Sequence, residues 1–268
     1  MQATRAAEGP AAGAILDVRG LSKSFGALRA LDDYALSLPA LTIHGVIGPN
    51  GAGKTTLFHL LSGFLRPTAG TIRYEGLDIT GSPAYVVARL GIGRTFQNIR
   101  LFGEQSVIDN VKVAIQRQWA SSLVATLVSS GSFRRREREI DEGAMRLLDL
   151  VGLGSRRDDL ARSLPYGDQR RLEIARAVGI RPKLLLLDEP SAGMNPIETQ
   201  ELLELIRRLR DELGLTIVLV AHDIPLVMNV CDRIQVLNYG RLIAEGDPAR
   251  VRGDAEVISA YLGRVKHA

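Results

Sequence analysis

The stretch Gly48-Pro49-Asn50-Gly51-Ala52-Gly53-Lys54-Thr55-Thr56 constrains the fold of this 268-residue chain more than any other. Its glycines permit a tight turn in which backbone N–H groups approach an anion with no side chain between. Leu41 to Ile47, before it, reads as a strand, and Leu57-Phe58-His59-Leu60-Leu61, after it, as the apolar face of a helix. A helix beginning near Gly53 adds the positive end of its dipole. The spacing G-x-x-x-x-G-K-[ST] is that of a phosphate-binding loop, in which Lys54 reaches the β- and γ-phosphates and the Thr55 hydroxyl ligates Mg²⁺. The competing reading is a glycine-rich turn that merely joins strand to helix.

Two strongly apolar strands supply the rest of the frame. Leu184-Leu185-Leu186-Leu187 runs into Asp188-Glu189-Pro190, and Thr216 to Ala221 runs into His222-Asp223. Between them, Thr199 to Arg210 places Leu202, Leu203, Leu205, Ile206 and Leu209 at helical spacing. Strand, helix, strand with all-apolar strands predicts a parallel sheet covered on both faces, hence an α/β fold. In such sheets ligands bind beyond the carboxyl ends of the strands. The strands entering Gly48, Asp188 and His222 therefore each end in chemistry. Asp188, at a strand tip, can hold Mg²⁺ through water. Glu189 can orient or deprotonate a water attacking the γ-phosphate, and His222 is aimed the same way. The alternatives are a solvated Asp-Glu strand end and a histidine satisfied by its surroundings. His44, His59 and His267 lack this context and read as structural.

The remaining segments organise around that frame. Residues 1 to about 13 read as a disordered tail, and Ile15 to Leu38 as an antiparallel β-layer. Thr71-Ile72-Arg73-Tyr74 adds a strand and Val86 to Leu90 a short helix. From about Gly91 to Val178 the reading is mostly helical, with a Ser106 cap and a charged face at Arg134 to Glu139. Ile234 to Ile243 reads as a hairpin turning at Tyr239-Gly240, and Ala255 to Leu262 as a last helix. With 46% hydrophobic and 24% charged residues the chain has ample material for a core. The net charge of +4 allows contact with nucleic acid or an anionic membrane without arguing for either. The single cysteine, Cys231, rules out an internal disulfide framework. No apolar run reaches the length of a membrane span, Leu123 to Val128 included.

The ordered motifs resemble the ATP-binding-cassette ATPases over residues 14 to 262. The phosphate loop is followed by Gln97, by Leu164-Pro165-Tyr166-Gly167-Asp168-Gln169-Arg170 where that family carries its signature, by the Leu184–Glu189 strand, by Ser191-Ala192-Gly193-Met194-Asn195 as the D-loop, and by His222 as the switch histidine. Within the family the chain is most similar to the ATPase subunits of branched-chain amino acid importers, through Arg94 to Phe102, Pro165 to Arg176 and the ending Ile258-Ser259-Ala260-Tyr261-Leu262-Gly263. The resemblance implies one ATPase domain over residues 14–264. Its core covers 14–96 and 180–264, with a mostly parallel sheet and an antiparallel β-layer, and its helical subdomain about 97–179.

The resemblance also implies the mechanism and the partners. Two cassettes sandwich ATP and Mg²⁺, each nucleotide lying between the phosphate loop of one (Gly48, Pro49, Asn50, Gly51, Ala52, Gly53, Lys54, Thr55, Thr56, with Asp188) and the signature of the other (Leu164, Gly167, Asp168). Thr55, Asp188 and Gln97 attend the metal; Glu189, His222 and Gln97 attend hydrolysis. Phe25 lies where the family stacks an aromatic ring on adenine, with core packing as the alternative. The implied partners are a second, related cassette, integral membrane permease subunits and, indirectly, a periplasmic or extracellular substrate-binding protein, with no nucleic acid. The chain would sit at the cytoplasmic face of the inner membrane, held there by the permease. Two departures stand out. Pro165, Tyr166 and Asp168 replace the usual serine, first glycine and glutamine of the signature, and Asn195 replaces the D-loop aspartate. A soluble cassette acting on nucleic acid or ribosomes is the competing function, but there is one cassette rather than a tandem pair and no long heptad insert between Gln97 and Leu164.

Overall fold

A computed structural model describes residues 13–116, 130–222 and 224–262. The expectations for the tail, for Leu123 to Val128, for Asp223, for Gly263 and for His267 lie outside these residues. In chain order the strands are β1 (Ala14–Phe25), β2 (Leu28–Pro39), β3 (Ile43–Ile47), β4 (Ala69–Tyr74), β5 (Leu77–Asp78), β6 (Ile92–Arg94), β7 (Leu184–Asp188), β8 (Thr216–Val220), β9 (Arg233–Asn238) and β10 (Arg241–Gly246). The α-helices are α1 (Lys54–Leu61), α2 (Ala84–Arg89), α3 (Val107–Gln116), α4 (Ser130–Leu150), α5 (Tyr166–Gly179), α6 (Pro196–Leu213), α7 (Ile224–Val230), α8 (Pro248–Arg252) and α9 (Ala255–Leu262). The chain forms two compact units, one of residues up to Val87 and from Cys231 onward, the other Ala88–Val230.

The first unit contains the antiparallel layer that the sequence predicts, in the order β2-β1-β4-β5. Along β2 the alternation is clean at the end, with Leu36 and Leu38 buried and Ser37 and Pro39 exposed. β3 instead is buried at every position and runs parallel to β9, from His44 opposite Arg233 to Ile47 opposite Val236. β10 closes the hairpin onto β9, and its turn falls at Tyr239 (φ 45°) and Gly240 (φ 79°), as the sequence predicts. Two successive positive φ angles give the twist a tight hairpin needs.

His44 on β3 is 2% exposed. Burial outweighs the attraction of Glu245 and lowers its pKa from the usual 6.5 to about 4; Arg233 pushes the same way. The folded protein thus keeps this imidazole neutral while the unfolded chain protonates it below about 6.5. The contribution is full above that pH and is lost as pH falls toward 4, by about 3 kcal/mol. Urea midpoints at pH 7.5 and pH 4.5 test this: His44→Met should show a smaller loss on acidification than the parent.

The second unit is built on β6, β7 and β8, all parallel, with β7 between the other two. The four leucines Leu184 to Leu187 and the whole of β8 are buried, as expected for a sheet covered on both faces. The described part of residues 91–178 is mostly helical as expected, and β6 adds a strand at its start that the sequence did not show. It is three residues long, too short to show a period, and the backbone of Ile92, Gly93 and Arg94 pairs with Leu184, Leu185 and Leu186. α6 connects β7 to β8, and the five apolar residues expected to face inward are buried. Its start is a capping box. The Asn195 side-chain oxygen accepts from the Ile197 and Glu198 N–H groups, Glu198 accepts in return from the Asn195 N–H, and Pro196 is the first helical residue. Gly214, at φ 65°, ends it.

Candidate active site

In the first unit, β3 delivers the chain directly into the phosphate loop, and α1 leaves it. A β-carbon on Gly48 would stand 2.1 Å from the Leu237 carbonyl oxygen, and one on Gly53 2.6 Å from that of Ala30. Gly51 meets nothing within 4 Å, so its glycine serves the φ of 79° alone. The loop is tied in by backbone bonds, Gly240 N–H to Ala52 O at 2.9 Å and Asp32 N–H to Gly240 O at 2.8 Å. Lys54 is buried and its Nζ donates to the carbonyls of Gly48 (2.6 Å) and Pro49 (3.1 Å). Asn50 and Thr55 are exposed, Pro49 and Thr56 half-buried and Ala52 buried. No acidic residue sits in the first turn of α1, so nothing there neutralises the dipole's positive end. An ammonium, a helix N-terminus and an exposed hydroxyl in one glycine-shaped loop fit a nucleotide phosphate and its metal. Phe25, at the end of β1, is 47% exposed with Lys23 Nζ 5.1 Å from its ring centre. That exposure removes core packing as its explanation.

In the second unit the ends of β6, β7 and β8 bring Gln97, Glu189 and His222 together on one carboxylate oxygen. Gln97 Nε2 donates to Glu189 Oε2 at 3.2 Å, and His222 Nδ1 lies 3.7 Å from the same atom. Glu189 holds φ at 46°, a region that a residue with a side chain seldom adopts, and its N–H donates to Val220 O at 2.8 Å. Asp188, one residue earlier, is buried. Its Oδ2 accepts from Arg94 Nη2 at 2.8 Å, and its N–H donates to Thr95 Oγ1. A carboxylate offers about four acceptor sites, so an ion pair at Oδ2 is compatible with metal-bound water at the other oxygen. Arg94 itself has its pKa lowered by burial, with Asp188 acting in the opposite direction.

The signature stretch opens α5. Pro165 caps the helix without a side-chain bond, so the hydroxyl that a serine would offer there is gone. Tyr166 has a packing role: a β-carbon on Gly193 (φ 79°) would meet its ring at 3.1 Å. Gly167 lies against the capping glutamate of α6, its β-carbon position 2.8 Å from Glu198 Oε1. Asp168 is engaged by Arg156 Nη1 at 3.0 Å and by Arg171. Leu164 is buried, and its carbonyl accepts from Gln169 Nε2 at 2.9 Å.

Similarity to known proteins gives the family. The family described as "ABC transporter" matches residues 31–192, and a second description, "Branched-chain amino acid ATP-binding cassette transporter", matches 241–267. The chain belongs to the ABC transporter family. Among ABC proteins it is 46% identical over 249 residues to the high-affinity branched-chain amino acid transport ATP-binding protein BraF of Pseudomonas aeruginosa, covering 93% of this chain and 98% of that one. It is 47% identical, with the same coverage, to LivG of Escherichia coli K12, which carries the same description. The ADP conformation of MJ1267, an ATP-binding cassette of an ABC transporter, superimposes with a TM-score of 0.80 at 30% identity, over 93% of this chain and 99% of that one.

As an ABC cassette, the chain has site neighbours that its motifs do not reveal. Ala30 and Gly240 brace the phosphate loop, and Arg94 holds Asp188. Their roles depend on partners far along the chain: Arg94 meets one 94 positions away. The Asn195 capping box starts α6 at Pro196, three residues before Thr199, where the apolar spacing predicts its start.

Proposed function

We propose that this chain is the ATP-hydrolysing subunit of an importer for branched-chain amino acids. The observation that carries the hydrolytic reading is the meeting of Gln97 and His222 on one oxygen of Glu189, at a strained backbone position. The substrate class rests on likeness to BraF and LivG along nearly the whole chain. In this reading Lys54 and the N–H groups of residues 48–56 hold the β- and γ-phosphates, and Phe25 stacks on adenine. Thr55, Asp188 and Gln97 hold Mg²⁺, which when bound neutralises phosphate charge. Glu189 accepts the proton of the attacking water, and His222 and Gln97 orient the carboxylate and the water. Leu164, Gly167 and Asp168 serve the nucleotide of a second, related cassette. No helix among the described residues is long and apolar enough to cross a membrane. Permease subunits hold the chain at the cytoplasmic face, and a separate binding protein selects the amino acid.

Purification from membranes tests this reading. The chain should bring a permease with it, and ATP turnover should rise when the permease and the substrate-loaded binding protein are present. Turnover stimulated by nucleic acid, with no permease retained, would overturn the importer in favour of a nucleic-acid cassette.

A further inference from the structure

The second unit contains a buried ion pair that no motif role accounts for. Arg170 is fully buried, the largest side chain among the described residues to be so, and Glu173, one turn on along α5, is 4% exposed. Arg170 Nη1 donates to Glu173 Oε2 at 2.9 Å. Burying two charges costs more than their attraction returns unless their remaining donors and acceptors are used. Here most of them are used, on one short piece of backbone and on the Tyr166 hydroxyl, which accepts from Arg170 Nη2 at 3.2 Å, while Arg170 Nε is buried without a hydrogen-bond partner. Arg170 Nη1 donates to Phe96 O at 2.6 Å and Nη2 to Gln97 O at 2.8 Å. Glu173 Oε1 accepts from Phe96 N–H at 3.1 Å. Arg176, three residues further along α5, donates to Arg100 O. The Phe96 ring is flanked by Arg94 and Arg100, whose guanidinium carbons lie 5.1 and 4.4 Å from its centre.

Residues Phe96 and Gln97 lie in neither helix nor strand, so their backbone groups need partners from elsewhere. A planar guanidinium spanning two successive carbonyls fixes the orientation of the peptide between them, which a single-point donor cannot do. The side chain on that peptide is Gln97, whose amide touches Glu189. We propose that Arg170 and Glu173 are positioning residues for Gln97: the pair on the signature helix sets the Phe96–Gln97 peptide and thereby seats the Gln97 amide on the Glu189 carboxylate. A shift of α5 is then felt at Glu189 through one guanidinium and one glutamine. The inference deepens the hydrolytic reading and rests on it for its effect on turnover; the clamp itself is measurable without it.

Two readouts on the purified protein test the proposal. The double variant Arg170→Met/Glu173→Met removes both charges at similar volume, so that no unpaired charge is left buried. Arg170→Lys keeps the charge but cannot span two carbonyls. Hydrogen exchange at the Phe96 amide should accelerate about tenfold or more in the double variant, while the β7 amides keep their protection. ATP turnover per folded molecule should fall on the order of 10–100-fold, the scale of a small misplacement at a reacting centre, with KM for ATP within about twofold and Arg170→Lys intermediate. In a Gln97→Ala background the double variant should change kcat by less than about twofold, since the clamp acts through Gln97. Full additivity with Gln97→Ala, unchanged exchange at Phe96, or a loss confined to thermal stability would each overturn the proposal. If Gln97→Ala alone leaves turnover intact, the role of Gln97 in hydrolysis fails. Exchange at Phe96 then decides the clamp, faster exchange upholding it and unchanged exchange overturning it.

Discussion

Glu189→Gln is expected to bind ATP normally and hydrolyse it about 10²–10⁴-fold more slowly, the range that a positioned general base contributes. The substitution keeps the shape of the side chain and deletes its charge. The φ of 46° is a backbone property set by the β7 exit and by the Glu189 N–H bond to Val220, so the glutamine should adopt the same place. What changes is the atom on which Gln97 Nε2 and His222 Nδ1 converge: an amide is far too weak a base to take a proton from water. Titration with a fluorescent ATP analogue should give a dissociation constant within about threefold of the parent, a difference under about 0.7 kcal/mol. ATP-bound molecules should then accumulate, and with them the closed two-cassette form. Single-turnover kinetics separate this from slow product release. Undiminished single-turnover hydrolysis would remove Glu189 as the base and leave His222 to be tested next.

The difference between what was legible in the chain and what was not follows from distance along it. The phosphate loop, β7 with Asp188-Glu189, and β8 with His222 were readable because each is a continuous segment whose period or spacing carries the physics. The five inward residues of α6 were readable for the same reason. β6 was not, because three residues cannot display an alternation and only pairing with β7 makes them a strand. Phe25 could not be divided between stacking and core by its identity, and its exposure argues against the core. Arg94 and Arg170 stood inside recognisable stretches, yet their work is done on residues 94 and 73–74 positions away. Asn195 shows the converse. It departs from the family's D-loop aspartate, but locally it is an N-cap with a complete capping box, a role aspartate fills equally well. Tyr166 likewise stands where the family has glycine, and its ring lies over Gly193, where a β-carbon would approach it to 3.1 Å.

Lys54→Ala should weaken ATP binding on the order of a hundredfold, equivalent to about 2.7 kcal/mol, with little loss of fold. The Nζ group bonds two carbonyls of its own loop, Gly48 O at 2.6 Å and Pro49 O at 3.1 Å. A charged donor in that setting contributes about 1.5–3 kcal/mol per bond that it makes to an anion. Without nucleotide, alanine vacates the space of the lysine side chain, through which water can reach the buried Gly48 and half-buried Pro49 carbonyl oxygens and replace the donor. The loop's shape depends instead on Gly48 and Gly53, which lie against Leu237 O and Ala30 O, and on the Gly240–Ala52 bond, none of which involves the lysine. Affinity should therefore fall while the thermal midpoint stays within a few degrees, about 1 kcal/mol or less for a protein of this size. Lys54→Arg keeps the charge on a longer, planar head, which the short span from Nζ to Gly48 O does not accommodate; it should restore only part of the affinity. Calorimetric titration with ATP and with ADP separates the contributions, because a lysine reaching both β- and γ-phosphates loses more for ATP than for ADP. Equal losses would confine Lys54 to the β-phosphate, and unchanged affinity for both would remove the 48–56 loop as the phosphate site.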